Sequence, residues 1–372
     1  MNLGLKGKIK LMYDELSRIR AGTLTPQHEL APLAGLPDVT LVQYLGLKYK
    51  DGCTNKDGSF DINHLYAELN INPSLMTVNA LIDLDQDSKW LVPEIFRDAI
   101  RKGLRTSPFY NKLIASSENV AQPQVNMPYV DLSEAEPQET AEAETIDKGS
   151  ITYGNKTVEI RKQAIGIDIT YEAIQYTNLN LLTIFLQDIG IKLGQKLNGA
   201  LIDILINGDQ ADASQAAAVI GVDNPVLGLQ YKDFLHAWIR GSRLGRQFSS
   251  IIAGEAMAED ILELEEFKQK QQGAPLKSIV VNETLPSQSQ LYVSAKVPAH
   301  QAILVDAALA AVQLTSASLL VEGEKIVSKQ IQGTYASITT GFANIFRDAR
   351  VIIDETLDIA ANDFPAFMTP TL

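Results

Sequence analysis

An α+β fold is what this sequence predicts, and three observations predict it. Two alternating apolar segments flank an acidic stretch, a long helical stripe follows them, and a strand–helix–strand pattern occupies the second half of the chain.

The elements follow in order. Ile9, Met12, Leu16 and Ile19 recur at helical spacing, with Gly22 and Pro26 beyond, so the chain opens on a short amphipathic helix. Residues 23–87 mix Pro, Gly, Asn and Asp with short apolar pieces and read as an extended arm with small helices. A helical pattern returns over residues 93–113. Val125, Met127 and Tyr129 alternate on one strand; Val158 and Ile160, then Ile165, Ile167 and Ile169, alternate on the return. The parity changes between Ile160 and Ile165, which predicts a bulge or kink near Lys162 and Gln163.

Between these arms, Asp131, Glu134, Glu136, Glu139, Glu142, Glu144 and Asp147 occur with no basic residue, so the stretch cannot build a core of its own. Arms of about 20 residues at roughly 3.3 Å each would reach on the order of 60 Å, farther than an ordinary domain radius. A hairpin of that reach is marginal alone and favours contact with a neighbour.

Leu182, Phe185, Ile189, Leu193, Leu197, Leu201 and Ile204 keep three- and four-residue spacing and predict a spine helix ending at Asn207–Gly208. The Ala-rich residues 209–221 read as a flexible loop. A helix over 233–240, a strand over 249–253, a helix over 255–270 and a strand over 278–282 then suggest a β-α-β core. Strands over 301–306 and 311–315 extend that core, and residues 326–354 are strand-rich again.

Bulk properties narrow the function. A chain of 372 residues with 45% hydrophobic content and mean hydropathy of -0.02 folds around a substantial core. A net charge of -13 argues against a surface whose main task is to grip phosphate, because such binding rests on Lys and Arg. The single cysteine, Cys53, permits no intrachain disulfide and no paired-Cys metal site, as suits a reducing cytoplasm. The first 20 residues carry Lys6, Lys8, Lys10, Arg18 and Arg20, unlike a secretory signal, and no apolar run is long enough to span a membrane.

Chemistry-bearing patterns are weak. Asp83, Asp85, Asp87 and Glu94 match positions 1, 3, 5 and 12 of a calcium loop, but Ser88 replaces the glycine and Pro93 blocks the exit, so an acidic helix start is the better reading. His28, His64, His236 and His300 follow no ligand or triad spacing. Phosphate-loop, dinucleotide-turn, nucleophile-elbow and zinc-protease motifs are lacking. No cofactor, metal or catalytic residue is expected.

In this order the chain resembles the major capsid proteins of tailed bacteriophages, the Hong Kong-97-type capsid fold, over roughly residues 93–354. The acidic-tipped hairpin, the IGIDITYEAI entry to the spine, GVDNPVLGL, VPAHQAILVD and GFANIFRDARVIID carry the likeness. The resemblance implies an N-terminal arm and leading helices (1–124), an extended β-hairpin E-loop (125–170), and a P-domain (171–221 and 324–372) with its spine helix near 180–207. It also implies an A-domain (222–323) with a central sheet. About 90 residues precede the likeness; a retained arm, a separate scaffolding protein and no autoproteolytic maturation are expected.

The function so implied is that of a non-enzymatic shell protein. Copies would assemble in the host cytoplasm into hexamers and pentamers of an icosahedral virion head around double-stranded DNA. Scaffolding, portal and decoration proteins would be its partners. Asp131, Glu134, Glu136, Glu139, Glu142, Glu144, Asp147, Lys156, Arg161 and Lys162 are the expected E-loop contacts, with Arg240, Arg243, Arg246, Arg347 and Arg350 as basic partners. Lys6, Lys8, Lys10, Arg18 and Arg20 are candidates for non-specific contact with packaged DNA. An encapsulin-type nanocompartment shell is the alternative. An acidic carbohydrate-active module is a weaker one, since Trp90 and Trp238 are the only tryptophans and no aromatic cluster gathers.

Overall fold

The computed structural model describes residues 11–12, 14–15, 17–19, 66–67, 72–75, 91–106, 108–131, 150–208, 216–265, 289–365 and 368. The chain divides into two compact units. One comprises Met1–Ser107, Ala164–Gly194 and Leu319–Ile338; the other comprises Pro108–Gln163, Gln195–Ser318 and Thr339–Leu372.

In the first unit the described part of the opening segment is helical, with Met12 and Ile19 buried and Arg18 exposed, as the stripe predicts. Helix α1 (Leu91–Thr106) buries Ile95, Phe96, Ala99 and Ile100 along one face. Pro93 is tolerated because the first-turn amides of a helix have no intrahelical acceptor. Helix α1 meets the long helix α3 (Leu179–Asn207, 29 residues) at two glycines. A Cβ on Gly103 would lie 2.0 Å from the Gln187 carbonyl oxygen, and one on Gly190 would lie 2.0 Å from that of Ile100. Only glycine fits either position.

Short helix α2 (Tyr171–Tyr176) precedes α3, and its amide at Ala173 is capped by the Thr170 hydroxyl at 3.2 Å. The stripe of α3 runs through Leu182, Leu186, Ile189, Leu193, Leu197 and Leu201 to Leu205, all buried. Phe185, predicted inside, is 49% exposed and Ile204 is half-buried. At 3.6 residues per turn, a step of four from Leu182 keeps the face that a step of three leaves.

The second unit holds a five-stranded sheet in the order β5-β11-β8-β6-β7. These strands are β5 (Ala218–Val222), β6 (Ser250–Ala253), β7 (Gln290–Val293), β8 (Gln301–Val305) and β11 (Arg350–Asp358). Strands β5 and β11 run parallel, β8 is antiparallel to both β11 and β6, and β7 returns parallel to β6. Helices α4 (Tyr231–Arg243) and α5 (Glu255–Glu263) accompany the sheet. One core joins Ile220, Val222, Phe234, Ile251, Met257, Ile261, Leu304, Val351 and Ile353. Each such side chain contributes about 1.5–3 kcal/mol by leaving water.

This arrangement corrects two expectations. Ala218–Val222 is a strand rather than loop; all of its residues but the exposed Val219 are buried, so the short apolar run shows no regular alternation to read. Residues 209–215 lie outside the described residues, as do 278–282, the segment expected to close the β-α-β unit; among the described strands, β7 pairs with β6. Strand β9 (Ala311–Ile326) does not extend this sheet. It belongs to a four-stranded sheet in the order β1-β9-β10-β4, with β1 (Ser116–Asn119), β4 (Arg161–Thr170) and β10 (Ile331–Asn344). Its parallel partner β1 is wholly exposed and polar, so nothing in the sequence marked it as a strand.

The hairpin is β2 (Gln124–Asp131) against β3 (Ser150–Glu159), paired from Gln124↔Glu159 out to Asp131↔Ser150, with a register shift between Asn126 and Pro128. The predicted break falls at Ile160, two residues before Lys162: its amide donates to the Pro123 carbonyl at 3.0 Å, and β4 then starts in the other sheet. Beyond the break, Ile165, Ile167 and Ile169 alternate as expected.

The end of α3 is tied down by side chains. Gly208 takes φ +79° and its amide reaches the Ile204 carbonyl at 2.9 Å. The Asn344 amide also donates to that carbonyl, at 2.9 Å. Near the start of the second unit, the Tyr110 amide donates to the buried Asn198 side chain at 3.1 Å.

Candidate subunit-contact site

The predicted contact residues distribute unevenly. Asp131 is the last residue of β2 opposite Ser150. Glu134, Glu136, Glu139, Glu142, Glu144 and Asp147 lie outside the described residues. Lys156 is in β3. Arg161 and Lys162 begin β4 and are exposed, and Arg161 pairs with its own Glu159 at 3.0 Å. An exposed pair of that kind contributes about 0–1 kcal/mol. A pocket at the hairpin's foot is lined by Thr157, Glu159, Arg161, Lys196, Asp203 and Lys296 among others, and the Lys296 stem lies across Gly199. Lys6, Lys8, Lys10 and Arg20 also fall outside the described residues, as do Asp83, Asp85 and Asp87; Arg18 is exposed on the opening helix.

Of the five arginines named as basic partners, Arg350 is fully buried. A side chain enclosed in its own subunit cannot meet a neighbour, which removes it from the contact set. Arg246 forms a two-pronged bond with Asp348, at 2.9 Å through Nε and 3.0 Å through a terminal nitrogen, and lies 4.8 Å over the Phe346 ring. Arg347 donates to the Ala216 carbonyl at 3.2 Å. These three therefore serve the subunit's own packing.

Arg240 and Arg243 differ. They share one face of α4 with His236, at positions i, i+4 and i+7, beside a groove floored by Ile359, Ala360 and Phe364 and edged by Asp363. The Arg240 guanidinium lies 5.0 Å from the Phe364 ring centre. Sequence reading picked out the two arginines but missed His236 and Phe364, because the floor comes from the chain after β11, more than 100 positions away.

The helix itself is firmly set. The buried Asp233 carboxylate accepts the Gln230 amide at 2.8 Å and the Asp223 amide at 2.9 Å, satisfying donors at the helix start. Val226 and Leu227, on the turn before it, are 92% and 69% exposed.

A second polar cluster joins His300, before β8, to Asp354 and Glu355 on β11 and Asp260 on α5. His300 Nδ1 bonds the Glu355 carboxylate. That bond, with the nearby charges of Glu355, Asp260 and Asp354, raises the imidazole above its ordinary value. Burial, reinforced by Asp260, pushes Glu355 up. Burial acts the same way on Asp354, but bonds from Thr356 and Gln301 outweigh it and the net shift is downward. Among the described residues no group of His, Cys, Asp and Glu is arranged to hold a metal ion. No described helix is long and apolar enough to cross a membrane.

The described residues bring together a two-stranded hairpin, a basic groove beside α4, and polar clusters that brace the fold. The phage capsid protein family model matches residues 154–372, from the returning strand of the hairpin onward, and the chain belongs to that family. It is accordingly a structural capsid protein and a virion component. No curated protein matches it.

Solved structures with similar folds include the virus-like particle from Pyrococcus furiosus, at 11% identity and TM-score 0.45, covering 70% of this chain and 98% of that one. The structure from Microbacterium phage Oxtober96 has 12% identity and TM-score 0.48, over 67% of this chain and 91% of that one. That from Mycobacterium phage Adephagia has 11% identity and TM-score 0.46, over 67% and 90%.

Proposed function

We propose that this protein is the major shell subunit of a tailed-phage head, assembling through hexamers and pentamers into an icosahedral shell around double-stranded DNA. Family membership over residues 154–372 carries this reading. Residues 125–170 serve as the E-loop, 171–221 with 324–372 as the P-domain, 222–323 as the A-domain and 1–124 as the arm. The acidic stretch 131–147 makes contacts between subunits, and the opening helix with Arg18 faces the packaged DNA. Scaffolding and portal proteins, and in the finished head a decoration protein, are the partners such a shell requires.

Many weak contacts suffice for assembly, because each copy is held by several neighbours at once. Electron microscopy of the purified protein, with and without a scaffolding partner, tests the reading. Closed particles or capsomers are expected; a monodisperse monomer under every assembly condition overturns it. Particles enclosing protein cargo instead of DNA would favour a nanocompartment shell.

A further inference from the structure

The groove beside α4 has the chemistry of a seat for a small anion with an apolar body. It offers about 400 Å³ between two elements, α4 and the chain after β11, a size typical of small-molecule sites. His236, Arg240 and Arg243 line the helix wall, and one carboxylate, Asp363, stands on the facing element. Ile239, 50% exposed, and Ile359 add apolar surface.

The fold does not use up these basic side chains. Arginines in a last turn often serve the terminal carbonyls of their own helix. Here the carbonyls of Arg240, Gly241 and Ser242 already accept the amides of Leu244, Gly245 and Arg246. Among the described residues none of the three basic side chains holds an ion pair. The Arg240 guanidinium lies 5.0 Å from the centre of the buried Phe364 ring, so stacking sets its plane and leaves its N–H edge for an acceptor. The Phe364 amide in turn donates to Asp363 Oδ1 at 2.7 Å, and the Ile359 amide to the Val222 carbonyl at 2.9 Å, which fixes the facing element.

We propose that this groove binds a nucleoside triphosphate, its phosphate chain along α4 and its nucleoside against Ile239 and Ile359. Positions i, i+4 and i+7 spread the three basic groups over about 10 Å of helix. One carboxylate or one phosphate engages a single guanidinium, whereas a chain of phosphates supplies acceptors along the whole wall. Asp363 is placed to accept a ribose hydroxyl. The glycine-rich turns that the sequence lacks hold phosphate with backbone amides; here the donors are side chains. A net charge of -13 does not forbid the anion, because physiological salt screens charges beyond about 8 Å and leaves the nearby groups to decide.

Titration calorimetry of the full chain with ATP and with sodium tripolyphosphate tests this. Both are expected to bind one per chain, ATP the more tightly because only it has a nucleoside. No ATP binding, or tripolyphosphate binding as tightly as ATP, overturns the proposal. Arg240→Lys/Arg243→Lys keeps the charge but loses the planar forks, and should weaken ATP by about tenfold. Equal affinity in that variant would reduce the effect to general attraction of anions and overturn the seat.

Photolabelling with an azido-ATP uses the unaltered chain and so does not depend on how a variant folds. Label competed by ATP is expected within residues 236–243 or 359–364. Label confined to any other segment overturns the proposal and leaves the shell reading untouched.

Discussion

Gly103 and Gly190 stand against each other's helix backbones: each occupies the spot where a Cβ would collide with a carbonyl oxygen of the opposite helix, at 2.0 Å in both cases. The contact is reciprocal, so α1 and α3 approach too closely here for any side chain at either position.

Gly103→Ala or Gly190→Ala should therefore force these helices apart, costing about 1–3 kcal/mol through overpacking. The double variant should lose less than the sum, because the first displacement already makes room for the second methyl. Denaturant unfolding of the subunit measures both effects, and an unchanged midpoint would contradict the geometry.

The pairing of Arg246 with Asp348 is side-on and mostly enclosed, the two side chains being 18% and 22% exposed. Asp348→Asn should cost about 1–3 kcal/mol, since it leaves a half-buried guanidinium without its charged partner. Arg246→Lys should cost a similar amount, because an ammonium cannot make both bonds or stack on Phe346. Little dependence on salt is expected in either unfolding measurement. A steep one would place the pair in open solvent.

His300 gives the fold a pH response whose sign follows from its raised value. A base raised on folding adds stability that is fully present below its unfolded value, about 6.5, and is lost as pH rises through the higher folded value. Glu355, also raised, acts in the same direction. His300→Gln should thus lower the unfolding midpoint at pH 6 and leave it nearly unchanged at alkaline pH. Asp354, lowered on folding, contributes stability that is lost only as pH falls through its acidic range, outside this window. A variant equally destabilised at both pH values would assign His300 a packing role alone.

Removing residues 134–147 should leave a folded subunit, because the deletion begins beyond the last pair of the hairpin, Asp131 with Ser150. Circular dichroism and unfolding midpoints are expected to match the intact chain while particle formation fails or the particles become fragile. Particles of normal yield and heat resistance would make the tip a solvated ornament.

How far the sequence disclosed this structure depended on whether a signal was local. The α3 stripe, the alternation of Ile165, Ile167 and Ile169, and the Gly208 stop were readable because period and punctuation lie in the segment itself. Phe185 was misplaced because a step of three and a step of four diverge by most of a helix face. Ala218–Val222 hid its strand by being a short apolar run buried at all but Val219, and Ser116–Asn119 hid one by being exposed throughout.

The candidate site was legible only as a list of charges. Deciding which arginines look outward required Asp348, Phe346 and Phe364, whose proximity to Arg246 and Arg240 is a product of the folded sheet.

The place of β11 in its sheet bears on timing during synthesis. The strand contributed by Arg350–Asp358 lies between β5 and β8, so the pieces on either side have no common partner until it arrives. A ribosome has by then made the hairpin, the spine and both sheet helices. Closure waits for one late strand. A polypeptide broken off before residue 350 lacks the strand that joins β5 to the other three, so β5 has no place in that sheet until the last strand is made.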